Sequence, residues 1–196
     1  MLWVELLQMD LAWWFTKMTQ FKDSFEEDCY NSCLPFLSQD SITIEHNQVV
    51  KTEKTIISFS GKPKKEIDVL ALNFPNNIKL LISCKNYSNS APPSSIQEWG
   101  DVIKVLNENS IVSTYFGLII SSNGFTSGCE SWAKTDNLGI IPPYRGKKES
   151  FSKDTILKMM QRTIHVFLRT IERRGHDSLE ENNNFYWMCY KNMADF

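Results

Sequence analysis

Two apolar, branched runs joined by a knot of turn formers constrain this chain more than any other feature. The first run is Glu66-Ile67-Asp68-Val69-Leu70-Ala71-Leu72 and the second is Lys79-Leu80-Leu81-Ile82-Ser83-Cys84-Lys85-Asn86. Between them lies Asn73-Phe74-Pro75-Asn76-Asn77, which is rich in residues that suit turns. Such a pattern predicts a β-hairpin whose strands are buried on at least one face. Asp68 interrupts the first strand between Ile67 and Val69, so its side chain points to the face opposite both. Glu66 shares that face, and Lys85 stands near the end of the second strand. A buried carboxylate or ammonium is expensive unless it is paired, binds a metal or does chemistry. An Asp and a Lys brought together across a hairpin can hold a divalent cation and polarise an attacking water.

The rest of the composition narrows the classes. At 196 residues the chain is long enough for one domain with a sizeable core and some appendages. Apolar residues make up 42% and charged residues 22%, as in an ordinary soluble globular protein. With 21 basic and 23 acidic side chains the formal net charge is -2, so any nucleic-acid surface must be a local patch. The 5 cysteines form no CxxC pair and the 3 histidines are scattered, which argues against a zinc site. Reduced thiols in a cytoplasmic protein are the simplest reading. The aromatic N-terminus, with Trp3, Trp13 and Trp14, is interrupted by Glu5 and Asp10, and is too short and acidic to span a membrane. Residues 1–19 are expected to form an amphipathic helix packed on the domain or on a second copy of the chain.

Along the chain, Ser24-Phe25-Glu26-Glu27 lies early in a helix reaching about Pro35, with Glu27 as the capping-box partner of Ser24. Segments 39–50 and 54–60 alternate in polarity and predict strands. Gly61-Lys62-Pro63-Lys64-Lys65 is a basic turn leading into the Asp68 strand. A helix is predicted from about Ser95 to Asn107, a central strand over Tyr115–Ser122, and a helix capped by Ser127 and Glu130. A short strand at Leu138–Ile141 stops at Pro142-Pro143. A long helix follows over about Ser152–Arg174, then a tail that mixes an Asn-rich acidic piece with Phe185-Tyr186-Trp187-Met188. This order gives an α/β fold with a mixed sheet, divided into the N-terminal helix 1–19, a core over 20–150, and a C-terminal helix and tail over 151–196.

The hairpin, with Asp68 on one strand and Ser83-Cys84-Lys85-Asn86 closing the next, resembles the PD-(D/E)XK nuclease superfamily, and most of all its Mrr-type branch. The run Phe116-Gly117-Leu118-Ile119-Ile120-Ser121-Ser122-Asn123-Gly124-Phe125 is similar to the strand and turn after the active-site helix in that branch. Over about residues 20–142 the resemblance implies a restriction-endonuclease-like core with a mixed central β-sheet flanked by helices. It implies a Mg²⁺- or Mn²⁺-dependent endonuclease hydrolysing DNA phosphodiester bonds, in restriction or defence. Asp68 would bind the metal and Lys85 would position water and stabilise developing charge. Glu26, on the helix before the sheet, corresponds to a further acid of the family.

The chain departs from the family where it matters most, because Ser83 stands in place of the strand acid. Some members carry Ser-x-Lys and draw that acid from the following helix, about a dozen residues on. Glu98 lies 13 positions beyond Lys85. It is either this migrated metal ligand, completing a shell with Asp68 and Glu26, or the capping-box partner of Ser95. Two basic clusters offer phosphate contacts: Lys62, Lys64 and Lys65 near the proposed site, and a stripe on the last long helix that includes Lys158, Arg162, His165, Arg169 and Arg173. The rival reading is a catalytically degenerate nuclease-fold module for nucleic-acid binding or protein assembly. A third uses the aromatic N-terminus as a partner surface.

Overall fold

The computed structural model describes residues 21–38, 42–46, 69–146, 150–193 and 196. The proposed N-terminal helix, the segment over 54–60 and the basic turn Lys62–Lys65 lie outside these residues.

The described strands are β1 (Thr43–His46), β2 (Val69–Phe74), β3 (Ile78–Lys85), β4 (Thr114–Ser121) and β5 (Gly139–Ile141). They lie side by side in the order β1-β2-β3-β4-β5. β1, β2 and β3 pair antiparallel, whereas β3, β4 and β5 pair parallel. The predicted hairpin is present. Asn76 and Asn77 take φ of 64° and 59°, left-handed backbone that Asn tolerates better than most residues, within the short turn Pro75–Asn77. The parallel half needs crossovers, supplied by α2 (Pro93–Asn109) between β3 and β4 and α3 (Cys129–Thr135) between β4 and β5. Before the sheet comes α1 (Ser24–Cys33), and after it α4 (Lys153–Arg174), the short α5 (Asp177–Glu180) and α6 (Asn184–Asn192). This is the α/β, mixed-sheet arrangement flanked by helices that the sequence led us to expect.

Strand alternation sorts the core into two layers. Ile78, Leu80 and Ile82 of β3 and Phe116, Leu118 and Ile120 of β4 pack with α1 and α4 on one face. Leu81 of β3 and Tyr115 and Ile119 of β4 pack with α2 and α3 on the other. Because β3 and β4 are covered on both sides, they read as continuous apolar runs. At the centre of the first layer Phe167 meets Phe74, Phe116 and Phe185 edge-on, with ring centroids 5.2–5.4 Å apart. Such contacts add about 0.5–1.5 kcal/mol each beyond the area they bury.

The aromatic tail, for which the sequence suggested no element, forms α6 and closes the β5 edge. Phe185, Cys189 and Met193 enter the first layer while Tyr186 enters the second, so the helix straddles the sheet border. An exposed edge strand invites unwanted pairing, and a covering helix removes that hazard. Among the described residues, no helix is long and apolar enough to cross a membrane.

α2 seats closely on β4 because Gly117 has no side chain. A Cβ there would stand 2.6 Å from Ile103 Cγ1, 2.7 Å from Leu138 Cδ2 and 3.0 Å from Trp99 Nε1. The far end of α2 is fixed by Asn107, whose side chain accepts from the Tyr115 N–H at 2.8 Å and donates to the Tyr115 carbonyl at 3.0 Å. Gly117→Ala should therefore overpack this layer and lower stability by about 1–3 kcal/mol in urea unfolding. An unchanged midpoint would show that the close seating is not needed.

Candidate functional site

β3 is the strand at which the antiparallel hairpin meets the parallel half of the sheet. Val69, the first residue of β2, pairs with Ser83, and Leu70 pairs with Ile82. The chain thus enters β2 beside the Ser83-Cys84-Lys85 end of β3. On the other flank Ser83, Cys84 and Lys85 run parallel to Ile119, Ile120 and Ser121. Asp68 itself, with Glu66, Lys62, Lys64 and Lys65, lies outside the described residues.

Hydrogen bonds fix the backbone at this end of the sheet. The Ser122 N–H donates to the Lys85 carbonyl at 3.0 Å, and the Ser122 hydroxyl donates to Asn86 Oδ1 at 3.0 Å. Asn123 Nδ2 donates to the Tyr87 carbonyl, and the Ser90 hydroxyl donates to the Asn123 carbonyl at 3.0 Å. The Ala91 N–H then donates to the Gly124 carbonyl at 2.8 Å, and the Thr126 N–H to the Ala91 carbonyl at 3.0 Å. The loop leaving β3 is therefore sewn along its length to the turn leaving β4. The small polar residues Ser121-Ser122-Asn123-Gly124, which the sequence marks as a strand end and turn, are what make this possible. Tyr87 also shares a hydroxyl–hydroxyl hydrogen bond of 3.3 Å with Ser95 in the first turn of α2. Lys85 is half-buried and Ser83 is only 3% exposed.

Cys84 alternates to the α1 face and packs against that layer. A hydrogen bond with Cys29, then burial, then the nearby Cys29, Glu26 and Asp23 push its thiol well above the ordinary range. Burial does the same for Cys33. The thiolate is the nucleophilic form, so these groups are packing elements and not reactive centres.

Glu26 is 3% exposed on α1 and its Oε2 accepts the Lys22 N–H at 2.8 Å. The N-cap of α1 is Asp23, whose carboxylate accepts the N–H groups of Phe25 at 2.9 Å and Glu26 at 3.0 Å. This corrects the Ser24–Glu27 capping box. The helix begins one residue earlier than read, and Glu26 becomes the acid that reaches back over the first turn.

A similar shift corrects the box assigned to Ser95 and Glu98. The N-cap of α2 is Pro92, and Pro93 opens the helix with a φ already suited to it. The Ser95 N–H donates to the Pro92 carbonyl at 3.0 Å. Glu98 consequently falls in the second turn, exposed, on the helix that covers the opposite sheet face from α1. The structure thus places Glu26 and Glu98 on helices of different layers. The box over Ser127 and Glu130 is also corrected. Gly128, at φ 90°, is the N-cap of α3 with no side-chain bond, and Glu130 instead accepts from the Tyr186 hydroxyl at 3.1 Å.

Among the described residues, the ligand atoms close enough to share an ion are those of His176, Asp177 and Glu180, a mostly exposed group at α5. Glu26 and Glu98 do not belong to it.

No family model and no curated protein matches the chain. Among solved structures it is similar to EndoMS in apo form, at 12% identity and a TM-score of 0.39, covering 64% of this chain and 49% of that one. It is also similar to EndoMS in an EndoMS–dsDNA2 complex, at 11% identity and a TM-score of 0.37, covering 64% and 48%. The chain thus spans about half the length of the solved chains it matches.

The cap assignment gives a direct stability test. Asp23→Ala should cost about 1 kcal/mol, while Glu27→Ala should stay within about 0.5 kcal/mol of the parent in chemical unfolding. The reverse order would restore the Ser24–Glu27 box.

Proposed function

We propose that the chain is a metal-dependent endonuclease of the PD-(D/E)XK type, hydrolysing phosphodiester bonds in DNA. The observation that carries the reading is the hairpin register. Val69 opposite Ser83 brings the chain beside the strand end that carries Lys85, and because paired residues share a face, the reading requires strand alternation to break between Asp68 and Val69. Ligands of open α/β sheets gather outside the carboxyl ends of strands, and Lys85 stands at such an end, with its carbonyl held by Ser122.

Carboxylate, water and phosphate oxygens suit Mg²⁺ or Mn²⁺, and an Asp68 carboxylate with the exposed Glu98 is a donor set of that kind. Glu26 fits less well, since one of its oxygens already accepts the Lys22 N–H. Bound there, the cation would supply Lewis acidity and a more acidic water. The work of this chain's residues is to hold and orient. Asp68 anchors the ligand shell, the Lys85 ammonium holds the attacking water and offsets charge building on the phosphoryl oxygens, and the sewn 86–91 loop keeps Lys85 from swinging away. Restriction or defence is the setting we propose for such a cut.

One observation favours the rival of a degenerate nucleic-acid-binding module. Ser83, at the position of the family's strand acid, is buried between Val69 and Ile119 and provides no charge. Plasmid nicking with Mg²⁺ or Mn²⁺ separates the two. Lys85→Ala and Asp68→Ala should each reduce nicking by on the order of 10²–10³-fold with the fold intact. Glu98→Gln should abolish cleavage while leaving the melting temperature nearly unchanged, because the substitution keeps the length of an exposed side chain and removes only its charge. Cleavage that survives all three changes would end the nuclease reading, and salt-sensitive DNA binding without cleavage would establish the degenerate module.

A further inference from the structure

α4 is fixed in rotation by its buried side. Ile156, Met159, Met160, Thr163, Ile164, Phe167 and Leu168 are all turned into the core. Spacing of three and four residues therefore lines Lys158, Arg162, His165, Arg169 and Arg173 along the outer side of the helix. Lys158, His165, Arg169 and Arg173 are exposed, and Arg162 is half-buried with its guanidinium 5.6 Å from the centroid of the Phe196 ring.

The distribution of charge is uneven. This helix holds six of the chain's 21 Lys and Arg residues against two of its 23 acids, in a protein of net charge -2. Those two acids, Asp154 and Glu172, sit near the ends, so from Thr155 to Ile171 the helix carries no acid at all. Lys153 is set apart from the stripe, because its ammonium is paired with Asp28 at 2.6 Å. Solvation of a packed helix needs polar residues outward but does not need one sign of charge.

The start of the helix lies at the proposed catalytic end of the sheet. Phe151 and Ile156 line the same pocket as Ser122, Asn123 and Gly124. Ser122 in turn holds the Lys85 carbonyl. From Lys158 to Arg173 the stripe extends for about 22 Å at 1.5 Å per residue, long enough to follow several phosphates of one strand.

We propose that the outer stripe of α4, through Lys158, Arg169 and Arg173, is a docking surface for the phosphate backbone of duplex DNA that leads the duplex toward the Lys85 end of the sheet. This rests on the DNA reading above and adds a surface in a different layer from Glu98. It carries no base readout, so binding through it is independent of sequence.

Fluorescence anisotropy of the full chain with a 20-base-pair duplex, titrated from about 50 to 300 mM salt, tests it. The triple variant Lys158→Gln, Arg169→Gln, Arg173→Gln should reduce the slope of log affinity against log salt by about 2.7, or 0.9 per lost phosphate contact. The charge-preserving triple Lys158→Arg, Arg169→Lys, Arg173→Lys should keep the slope within about one contact of the parent. Should the neutral triple fail to fold, Arg169→Gln alone should still reduce the slope by about 0.9. An unchanged slope in folded neutral variants, or no duplex binding by the parent, overturns the inference. So does binding to phosphatidylserine vesicles that the neutral triple abolishes while duplex binding is untouched. If Lys85→Ala loses cleavage but the neutral triple keeps its slope, this inference fails and the nuclease reading stands. A reduced slope in a parent that never cuts DNA would support this surface and remove the nuclease reading.

Discussion

Everything in this molecule is referred to β3. It is paired on both sides, antiparallel to β2 and parallel to β4, and it is covered on both faces by separate apolar layers. A strand with two partners and two covered faces cannot slip, because a one-residue shift would exchange Ile78, Leu80 and Ile82 with Lys79, Leu81 and Ser83. Its register therefore dictates what lies beside its last residue. That is how an apolar core comes to define the position of Lys85.

The polar end of the sheet is a consequence of the same geometry. Two parallel strands deliver their loops to one side, and these loops must satisfy their own backbone groups there. Ser122, Asn123 and Gly124 do so for residues 85–91, so the segment that follows Lys85 is held by hydrogen bonds and not by a core of its own. Rigid backbone around an ammonium that is only half-buried is what a charge-stabilising lysine needs. Packing on the sheet's faces and chemistry at its end are thus separate tasks. The thiols Cys29, Cys33 and Cys84 belong to the first, and the role we propose for Lys85 belongs to the second.

Periodicity carried most of the fold. The hairpin, the continuous run of β4 and the amphipathic stripe of α4 are each long enough to fix a period, and each is found within a residue or two of where the pattern put it, with Asn73 and Phe74 in β2 and not in the turn. What failed were helix beginnings, where several residues compete for one role. Asp23 outcompetes Ser24, Pro93 starts α2 ahead of Ser95, and Gly128 opens α3 without a side-chain cap. α6 escaped notice because Phe185, Tyr186 and Cys189 bury on two sides of a sheet border, which gives no single apolar stripe. The identities of the candidate site residues come from resemblance and strand alternation. Their assembly depends on how far α1 and α2 stand apart across the sheet, and no local pattern in the sequence encodes that distance.

The central proposal is that the open end of the β2–β3 hairpin, away from its turn, holds a divalent cation between Asp68 and the Lys85 end of the sheet. Calorimetric titration of the full chain with Mn²⁺ addresses it without needing the right DNA substrate. The account predicts a binding event that Asp68→Ala removes and Lys85→Ala preserves, since one side chain is a ligand and the other is not. Mn²⁺ binding that is unaffected by Asp68→Ala, or that is absent from the parent protein, would contradict it.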